Sequence, residues 1–277
     1  MQTIRTIFLG SFGALAAWSL GAPAPFLTGP ATFVTFCALL KIDCNISVTV
    51  RNVSFIIIGI STAEEINSNV FHHILAWPIS LIGMSVSVII LVFTGRYIFE
   101  TYFKMEKNTS TLASTPGHLS YVLSLSEGTN ANTAVISVIQ SIRVLTLTLA
   151  VPTIITLFTN FEVQTAISNE EVLSISHLIF LVVFSSIFGL LLLKFRVPAA
   201  FLVGGMFCST LGHGFNLTPG LVPDNLTIMA FIILGSLIGS RFSGISVETF
   251  RSCVFQGSVF TVLSFLISAI FAFLISQ

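Results

Sequence analysis

Charge is what this sequence has least of. Lysine, arginine, aspartate and glutamate make up 8% of its 277 residues, against about 25% in soluble domains. Hydrophobic residues make up 54%. The formal net charge is zero, so no basic surface indicates direct nucleic-acid binding. This composition excludes a soluble globular domain and predicts an integral membrane protein whose first partner is the lipid bilayer.

Cysteine and clustered histidine are scarce as well. The four cysteines, at 37, 44, 208 and 253, show neither a CxxC pair nor the Cys/His spacing of a zinc site. The histidines at 72, 73, 118, 177 and 213 form no metal-binding pattern with carboxylates, and no GxGxxG follows a strand. We therefore predict no metal and no cofactor, and no motif in the sequence supports an enzyme activity.

Long apolar runs supply about nine candidate transmembrane helices. A span needs about 20 apolar residues, and several of these runs are shorter, which is typical of tilted or broken helices. The predicted fold is an all-α polytopic membrane protein with spans near 5–21, 24–41, 52–66, 77–99, 131–158, 172–193, 197–214, 225–241 and 250–275.

The positive residues fall on one side of the predicted membrane. If the N-terminus is inside, the connections facing outward are 21–23, 67–76, 159–171 and 215–224, and they contain no lysine or arginine. Cytoplasmic connections are enriched in these residues, so the pattern predicts a cytoplasmic N-terminus. It also requires residues 108–130 to begin and end on the inner side, as a re-entrant or interfacial segment would.

Three segments recur at an offset of 175–176 residues, which predicts an internal duplication. The matches are GAPAPFLTGP (21–30) with RVPAAFLVGG (196–205), FGAL (12–15) with FGLL (188–191), and FIIIGIS (55–61) with FIILGSL (231–237). The first unit holds five crossings, an odd number, so the second unit enters the membrane from the opposite side. Such inverted repeats are typical of secondary transporters, whose substrate sites lie at the repeat interface.

The duplication predicts a first repeat over 1–160 and a second over 172–277. The counterparts of the fourth crossing end near residue 277, so the second repeat lacks a partner for the breaker segment and for the fifth helix. We interpret the chain either as a truncated fragment or as a short form, and a homo-oligomer is one way for such a form to complete its site.

The stretch LASTPGHL (112–119) interrupts the apolar pattern with a helix breaker. Pro116 cannot donate a backbone hydrogen bond and Gly117 tolerates positive φ, so a break here frees backbone groups that need partners in lipid. Ser114 and Thr115 add hydroxyls beside the break. These four residues are candidates for lining a ligand site; the alternative is a surface helix capped by Ser114 or Thr115.

Arg143 is the positive residue that fits neither side, because it lies deep in the run 131–158. A guanidinium in a span costs at least about 2.5 kcal/mol and is expected to face a cavity or a partner. Gln140, three residues earlier, shares its helical face, so the two side chains are candidates for binding a carboxylate or another anion. The alternative is a structural pair between Arg143 and Glu127 or a backbone carbonyl.

Glu64 and Glu65 end the third predicted span, after GISTA. A carboxylate there is a candidate for coupling to a proton or a cation. The alternative is that both glutamates mark the aqueous end of the helix.

PAPFLTGP, VPAAFLVGG and the long segment LASTPGHLSYVLSLSEGTNANTAVISVIQSIRV resemble the membrane AbrB family. The Ser-Thr-Pro-Gly followed by Gln140-Ser141-Ile142-Arg143 is the most specific part. The resemblance implies a multi-spanning bacterial inner-membrane protein built of two AbrB-type repeats. The family labels further imply a role in regulating gene expression and an ammonia monooxygenase activity.

Three functions follow from these observations. The first is secondary transport, or a remnant of it, for a small polar or anionic solute. The second is a membrane-located regulator of gene expression that acts through a partner, because no cytoplasmic domain is long enough to bind DNA. The third, an oxygenase component, depends on the family label alone.

Overall fold

A computed structural model describes residues 2–63, 78–117, 119–126, 129–158, 172–215 and 217–275 of the chain. These residues are helical apart from turns, connections and an isolated bridge between Val172 and Leu221. The predicted all-α class is therefore confirmed.

The helix bounds follow the apolar runs closely. Each of the nine predicted spans overlaps a helix, and two short helices, α5 and α6, flank the predicted break. In chain order they are α1 (Gln2–Ser19), α2 (Pro25–Leu39), α3 (Val48–Ala63), α4 (Pro78–Thr101), α5 (Lys107–Ser114), α6 (Leu119–Ser126), α7 (Thr133–Phe158), α8 (Ile175–Lys194), α9 (Ala200–Gly214), α10 (Asp224–Ser240) and α11 (Val247–Ile275).

Four of these helices, α4, α7, α8 and α11, are long and apolar enough to cross a membrane. Helices α2, α3 and α10 are apolar but shorter. Large apolar side chains such as Phe184 on α8 and Phe273 on α11 are exposed, as lipid-facing positions are. The chain is accordingly an all-α polytopic membrane protein.

The described residues form two compact units. One contains α1, α2, α3, α8, α9, α10 and residues 148–158 of α7. The other contains α4, α5, α6, α11 and residues 133–147 of α7. Each unit contains helices from both predicted repeats. The boundary between the compact units therefore does not coincide with the predicted boundary between the repeats at residues 160–172. The division into repeats stays a prediction about how the sequence arose.

In the first unit, the turns before α2 and α9 share an unusual backbone conformation. Ala24 has φ 48° and Ala199 has φ 51°, and both are the N-caps of their helices. Gly21 and Arg196 also have positive φ, at 66° and 57°. Non-glycine residues rarely adopt this region. The two turns thus share this conformation at the offset of 175 residues that the predicted duplication gives.

Backbone hydrogen bonds recur at the same offset. The amide of Ala22 donates to Ala17 O over 3.0 Å, and the amide of Val197 donates to Leu192 O over 3.0 Å. After α2, Leu40 N donates to Phe36 O, and after α9 Phe215 N donates to Leu211 O, each over 3.0 Å. The helix ends of the two segments are therefore built alike.

Within this unit, helices of one predicted repeat cross helices of the other at glycines. A Cβ on Gly59 of α3 would overlap Leu202 O of α9, and a Cβ on Gly235 of α10 would overlap Leu27 O of α2. Residues 27 and 202 are equivalent at the offset of 175, and 59 and 235 are equivalent at 176. The two crossings are therefore related by exchanging the repeats, and small residues allow both close approaches.

In the second unit, α4 and α11 pack against each other in opposite directions. Gly83 near the start of α4 meets Ile275 at the end of α11. Further along, the Phe99 and Phe260 rings lie 5.3 Å apart, and the Phe103 and Phe255 rings 6.0 Å apart. In the predicted duplication α4 and α11 are equivalent helices, and an inverted repeat would place such a pair antiparallel.

Candidate functional site

The break in LASTPGHL lies where the sequence predicts it. Helix α5 ends at Ser114, and α6 begins at Leu119. Thr115 follows α5 in an extended conformation, with φ −70° and ψ 119°, because a residue before proline is driven out of the helical region. Two short helices joined at Pro116-Gly117 therefore replace one continuous helix.

Gln140 of α7 supplies the hydrogen bonds that the break removes. In a continuous helix Leu112 O would accept from the amide of residue 116, but that residue is proline. Gln140 Nε2 donates to Leu112 O over 3.1 Å, and it also lies 3.3 Å from Ala113 O and 2.8 Å from Thr115 O. Its side chain is 2% exposed. The amide group thus holds the end of α5 against α7.

The two hydroxyls beside the break also bind backbone carbonyls. Ser114 Oγ donates to Thr111 O over 3.0 Å and lies 3.3 Å from Val92 O of α4. Thr115 Oγ1 donates to Thr111 O over 2.7 Å. Ser114 is fully buried and Thr115 is half-buried. The single Ser114 hydroxyl proton can go to Thr111 O or to Val92 O of α4, so Ser114 packs at the contact between α5 and α4, while the lone pairs of the Thr115 oxygen lie near the break.

Gly117 is exposed and loosely packed. It is not among the glycines with positive φ, and a Cβ added there would meet Val122 Cγ2 at 3.5 Å, an ordinary contact. Neither backbone conformation nor packing requires glycine at this position. The positive φ expected from the sequence is therefore not the reason for glycine at this position.

Arg143 lies at the edge of the buried part of α7. The residues before it are buried through Ile142, which packs against Gly257 of α11. Arg143 itself is half-buried. Among the residues that the structure describes, no carboxylate forms an ion pair with it and no acceptor forms a hydrogen bond with it. Glu127, the partner considered from the sequence, lies outside the described residues.

Gln140 and Arg143 occupy one helical face, as predicted, but their surroundings differ. The Gln140 amide is enclosed by the end of α5, whereas the Arg143 guanidinium lacks a described partner. Between them, Ser141 is fully buried and its Oγ forms no hydrogen bond in the described part of the chain. The face thus combines one satisfied amide with an uncompensated positive charge.

The remaining predicted site residues, Glu64 and Glu65, lie outside the described residues, which end in α3 at Ala63. Their role in ion coupling stays a prediction. Across the ranges given above, no three His, Cys, Asp or Glu side chains lie close enough together to hold a metal ion.

A cavity of about 460 Å³ lies in the first unit, and none of the predicted site residues that the structure describes is among its lining residues. It is bounded by α1, α2 and the end of α7, and its lining includes Gly13, Phe33, Phe36 and Leu149. Its threonines are satisfied locally; Thr153 Oγ1, for example, donates to Leu149 O over 2.7 Å. The cavity is therefore apolar. In the sequence, the cavity could have been recognised from three small residues of α1 that line it, Gly13, Ala16 and Ala17.

The sequence also did not predict a second concentration of positive charge, which is formed by Arg51 and Arg241. Arg241 follows α10 directly, and its positive charge lies close enough to that of Arg51 for the two charges to repel each other. The Arg51 guanidinium donates to Asn52 Oδ1 from both Nε and Nη2, over 3.3 and 3.2 Å. The spacing of 190 residues explains why the sequence does not reveal this proximity.

Comparison with known proteins adds a family to this geometry. The model of a family described as "Transition state regulatory protein AbrB" matches residues 26–277. An uncharacterized protein of Bacillus subtilis (strain 168), YhjN, is 29% identical over 118 residues, which are 43% of this chain and 31% of that protein. The match thus spans less than a third of the relative. No solved structure matches the chain.

Proposed function

The chain belongs to the AbrB family, and from this premise we propose that it is a secondary transporter, or a remnant of one, for a small polar or anionic solute. The observation that supports the proposal most strongly is the environment of Arg143. Its guanidinium sits half-buried in an apolar helix and has no counter-ion among the described residues.

The energetic argument starts from the cost of that charge. An arginine at the centre of a span costs about 2.5–3.5 kcal/mol on insertion scales. A neighbouring carboxylate would offset this cost permanently, and the described part of the chain provides none. A bound anion would offset it only while bound, and a guanidinium is suited to carboxylate or phosphate because its N–H groups form a planar fork.

The helix break at Pro116-Gly117 supports placing the anion site beside Arg143. Gln140 holds the end of α5 beside α7 three residues before Arg143, so Gln140 is a positioning residue in this proposal. The exposed Gly117 leaves room beside Pro116, and Thr115 adds an acceptor. The first N–H groups of α6 have no partner within the helix and favour negative charge.

The proposed setting is a bacterial inner membrane, with several passes and a cytoplasmic N-terminus. The absence of lysine and arginine from the predicted outer connections supports this orientation. The antiparallel packing of α4 on α11 supports alternating access between inverted repeats. Coupling through Glu64 or Glu65 is part of the proposal.

A binding measurement tests the proposal without a known substrate. The purified chain is heated in detergent with a panel of small carboxylates and inorganic phosphate, and any anion that raises the melting temperature is then tested for uptake into proteoliposomes. We expect Arg143→Gln to abolish both stabilisation and uptake, because the guanidinium is the anion's partner.

Arg96→Gln is the matched control. Arg96 forms an ion pair with Glu100 over 2.7 Å, one turn along α4, so its loss removes the same charge from a paired site. It should leave anion binding within about twofold, since Glu100 already compensates the Arg96 charge and an i,i+4 ion pair on a helix contributes only about 0.3–0.5 kcal/mol. An anion that binds Arg143→Gln as well as it binds the unaltered chain would contradict the proposal.

A further inference from the structure

The connection between α2 and α3, residues 41–47, is tied by hydrogen bonds to two other parts of the first unit. On one side, Asn45 N donates to Thr6 Oγ1 of α1 over 3.0 Å. On the other side, Cys44 N donates to Ser243 Oγ, just after α10, over 3.2 Å. The start of α1, this connection and the end of α10 therefore meet at one end of the unit.

Each of these parts brings an arginine to that end. Arg5 lies near the start of α1, and its guanidinium donates to Asp43 O in the connection. Arg51 lies in the first turn of α3, which the connection leads into, and Arg241 follows α10 directly. Arg51 and Arg241 are half-buried, and their two positive charges lie close enough to repel each other.

No carboxylate among the described residues forms an ion pair with Arg51 or Arg241. The Arg51 guanidinium binds the neutral amide oxygen of Asn52, and the guanidinium of Arg241 forms no hydrogen bond in the part of the chain that the structure describes. The carboxylate of the connection, Asp43, is exposed and unpaired. Two like charges held together in a partly buried place repel each other at a cost in free energy, which a bound anion would offset.

The orientation of the chain in the membrane does not by itself explain this arrangement. Lysine and arginine in short cytoplasmic connections orient a chain without being buried or close to one another. At the offset of 176 residues, moreover, Arg241 is equivalent to Glu65 and Arg51 to Thr227. The predicted duplication does not repeat the pair, so the pair belongs to one side of the predicted membrane.

We propose that Arg51 and Arg241 bind the phosphate group of an anionic lipid at the predicted cytoplasmic surface. A guanidinium matches phosphate oxygens with two parallel N–H groups, and basic pockets between membrane helices on this side bind anionic head groups. Val48 and Val53, on either side of Arg51 in the chain, are 60% and 49% exposed. This apolar surface favours a lipid over a free phosphate. The site is separate from Arg143, and the inference does not depend on the anion proposed there.

The test is native mass spectrometry of the full chain from micelles that contain phosphatidylglycerol and phosphatidylcholine in equal amounts. We expect the chain to retain phosphatidylglycerol about tenfold more than phosphatidylcholine, whose cationic choline the two arginines repel. Arg51→Gln and Arg241→Gln should each reduce this preference to about twofold or less. Arg251→Gln is the matched control, because Arg251 is exposed on the same predicted side of the membrane, in α11, and its loss should leave the preference unchanged.

A chemical measurement on the unaltered chain provides the test if a variant does not accumulate. Phenylglyoxal modifies guanidinium groups, and the modified residues are identified by peptide mass spectrometry. Phosphatidylglycerol should slow the modification of Arg51 and Arg241 about tenfold relative to phosphatidylcholine, since a bound phosphate occupies their N–H groups. The modification of Arg251 should be the same in both lipids.

Inorganic phosphate, added in phosphatidylcholine micelles, separates a lipid from a soluble anion. Protection of Arg51 and Arg241 by inorganic phosphate as strong as that by phosphatidylglycerol would overturn the assignment to a lipid. Equal retention of the two lipids by the unaltered chain would overturn the site itself. So would a preference that Arg251→Gln removes as fully as Arg241→Gln does.

Discussion

At the scale of single residues, Gln140 and Arg143 have different roles in the structure. Gln140 replaces the backbone donor that Pro116 lacks, because its amide reaches Leu112 O and Thr115 O. Arg143, one turn later, keeps its charge without a described partner. A proline break in a membrane helix is tolerated where neighbouring side chains satisfy the freed groups, and Gln140 is such a neighbour.

Replacing Gln140 with leucine should lower the free energy of unfolding by about 1–3 kcal/mol, because the freed carbonyls stay buried without donors. Ser141→Ala is the matched control on the next residue: Ser141 Oγ is buried without a hydrogen bond to any residue that the structure describes, so its removal should change stability by less than about 0.5 kcal/mol. Denaturation in mild detergent measures both. Equal stability of the two variants would show that the Gln140 bonds do not hold the break.

Gly117→Ala should leave folding and membrane insertion unchanged. Among the described residues a Cβ there meets Val122 alone, at 3.5 Å, and the backbone needs no positive φ, so we expect a change in unfolding free energy within about 0.5 kcal/mol. Anion binding at the Arg143 site should weaken, since the added methyl group fills space beside the break. The melting temperature with and without the anion separates the two effects.

At the scale of helices, the glycine crossings hold the predicted repeats together. Gly59 and Gly235 each lie against a carbonyl oxygen of the helix that crosses them, Leu202 O and Leu27 O. An added Cβ at either position forces two backbones apart. The sequence pairs these glycines at an offset of 176 but does not reveal that each packs on the other repeat, because that depends on tertiary packing.

We therefore expect Gly59→Ala and Gly235→Ala to destabilise the chain by similar amounts, about 1–3 kcal/mol each, the range for overpacked cores. Gly117→Ala again provides a control with the same change in a loosely packed place. Thermal unfolding of the three variants in one detergent is the measurement. A neutral result at both crossings would mean that α3–α9 and α2–α10 are not in backbone contact.

Antiparallel packing of α4 on α11 predicts a specific cross-link. With the native cysteines replaced, the double variant Gly83→Cys with Ile275→Cys should form a disulfide on oxidation, since the two positions are in contact. Gly83→Cys with Val247→Cys is the control, because Val247 starts α11 at the opposite end. A shift on a non-reducing gel reports the bond, and cross-linking of the control pair alone would mean that the helices run parallel.

At the scale of the whole molecule, the sequence predicts the fold class and the break but only part of the site. Hydropathy placed the nine spans within a few residues, because lipid demands long apolar runs whatever their packing. Pro116 marked the break for a local chemical reason. The partners of Gln140 and the apolar cavity were not predicted, since each joins residues distant in the sequence.

Labelling one pair of equivalent residues, one from each predicted repeat, tests whether the two repeats are inverted. Leu20 and Phe195 lie at the same point of the two turns, 175 residues apart, and both are exposed, at 83% and 71%. Leu20→Cys and Phe195→Cys are made separately in a chain without native cysteines, and intact cells are treated with a membrane-impermeant maleimide. Opposite repeats predict that Leu20→Cys is labelled in intact cells and Phe195→Cys only after the membrane is opened. Labelling of both variants in intact cells would contradict the inverted repeat.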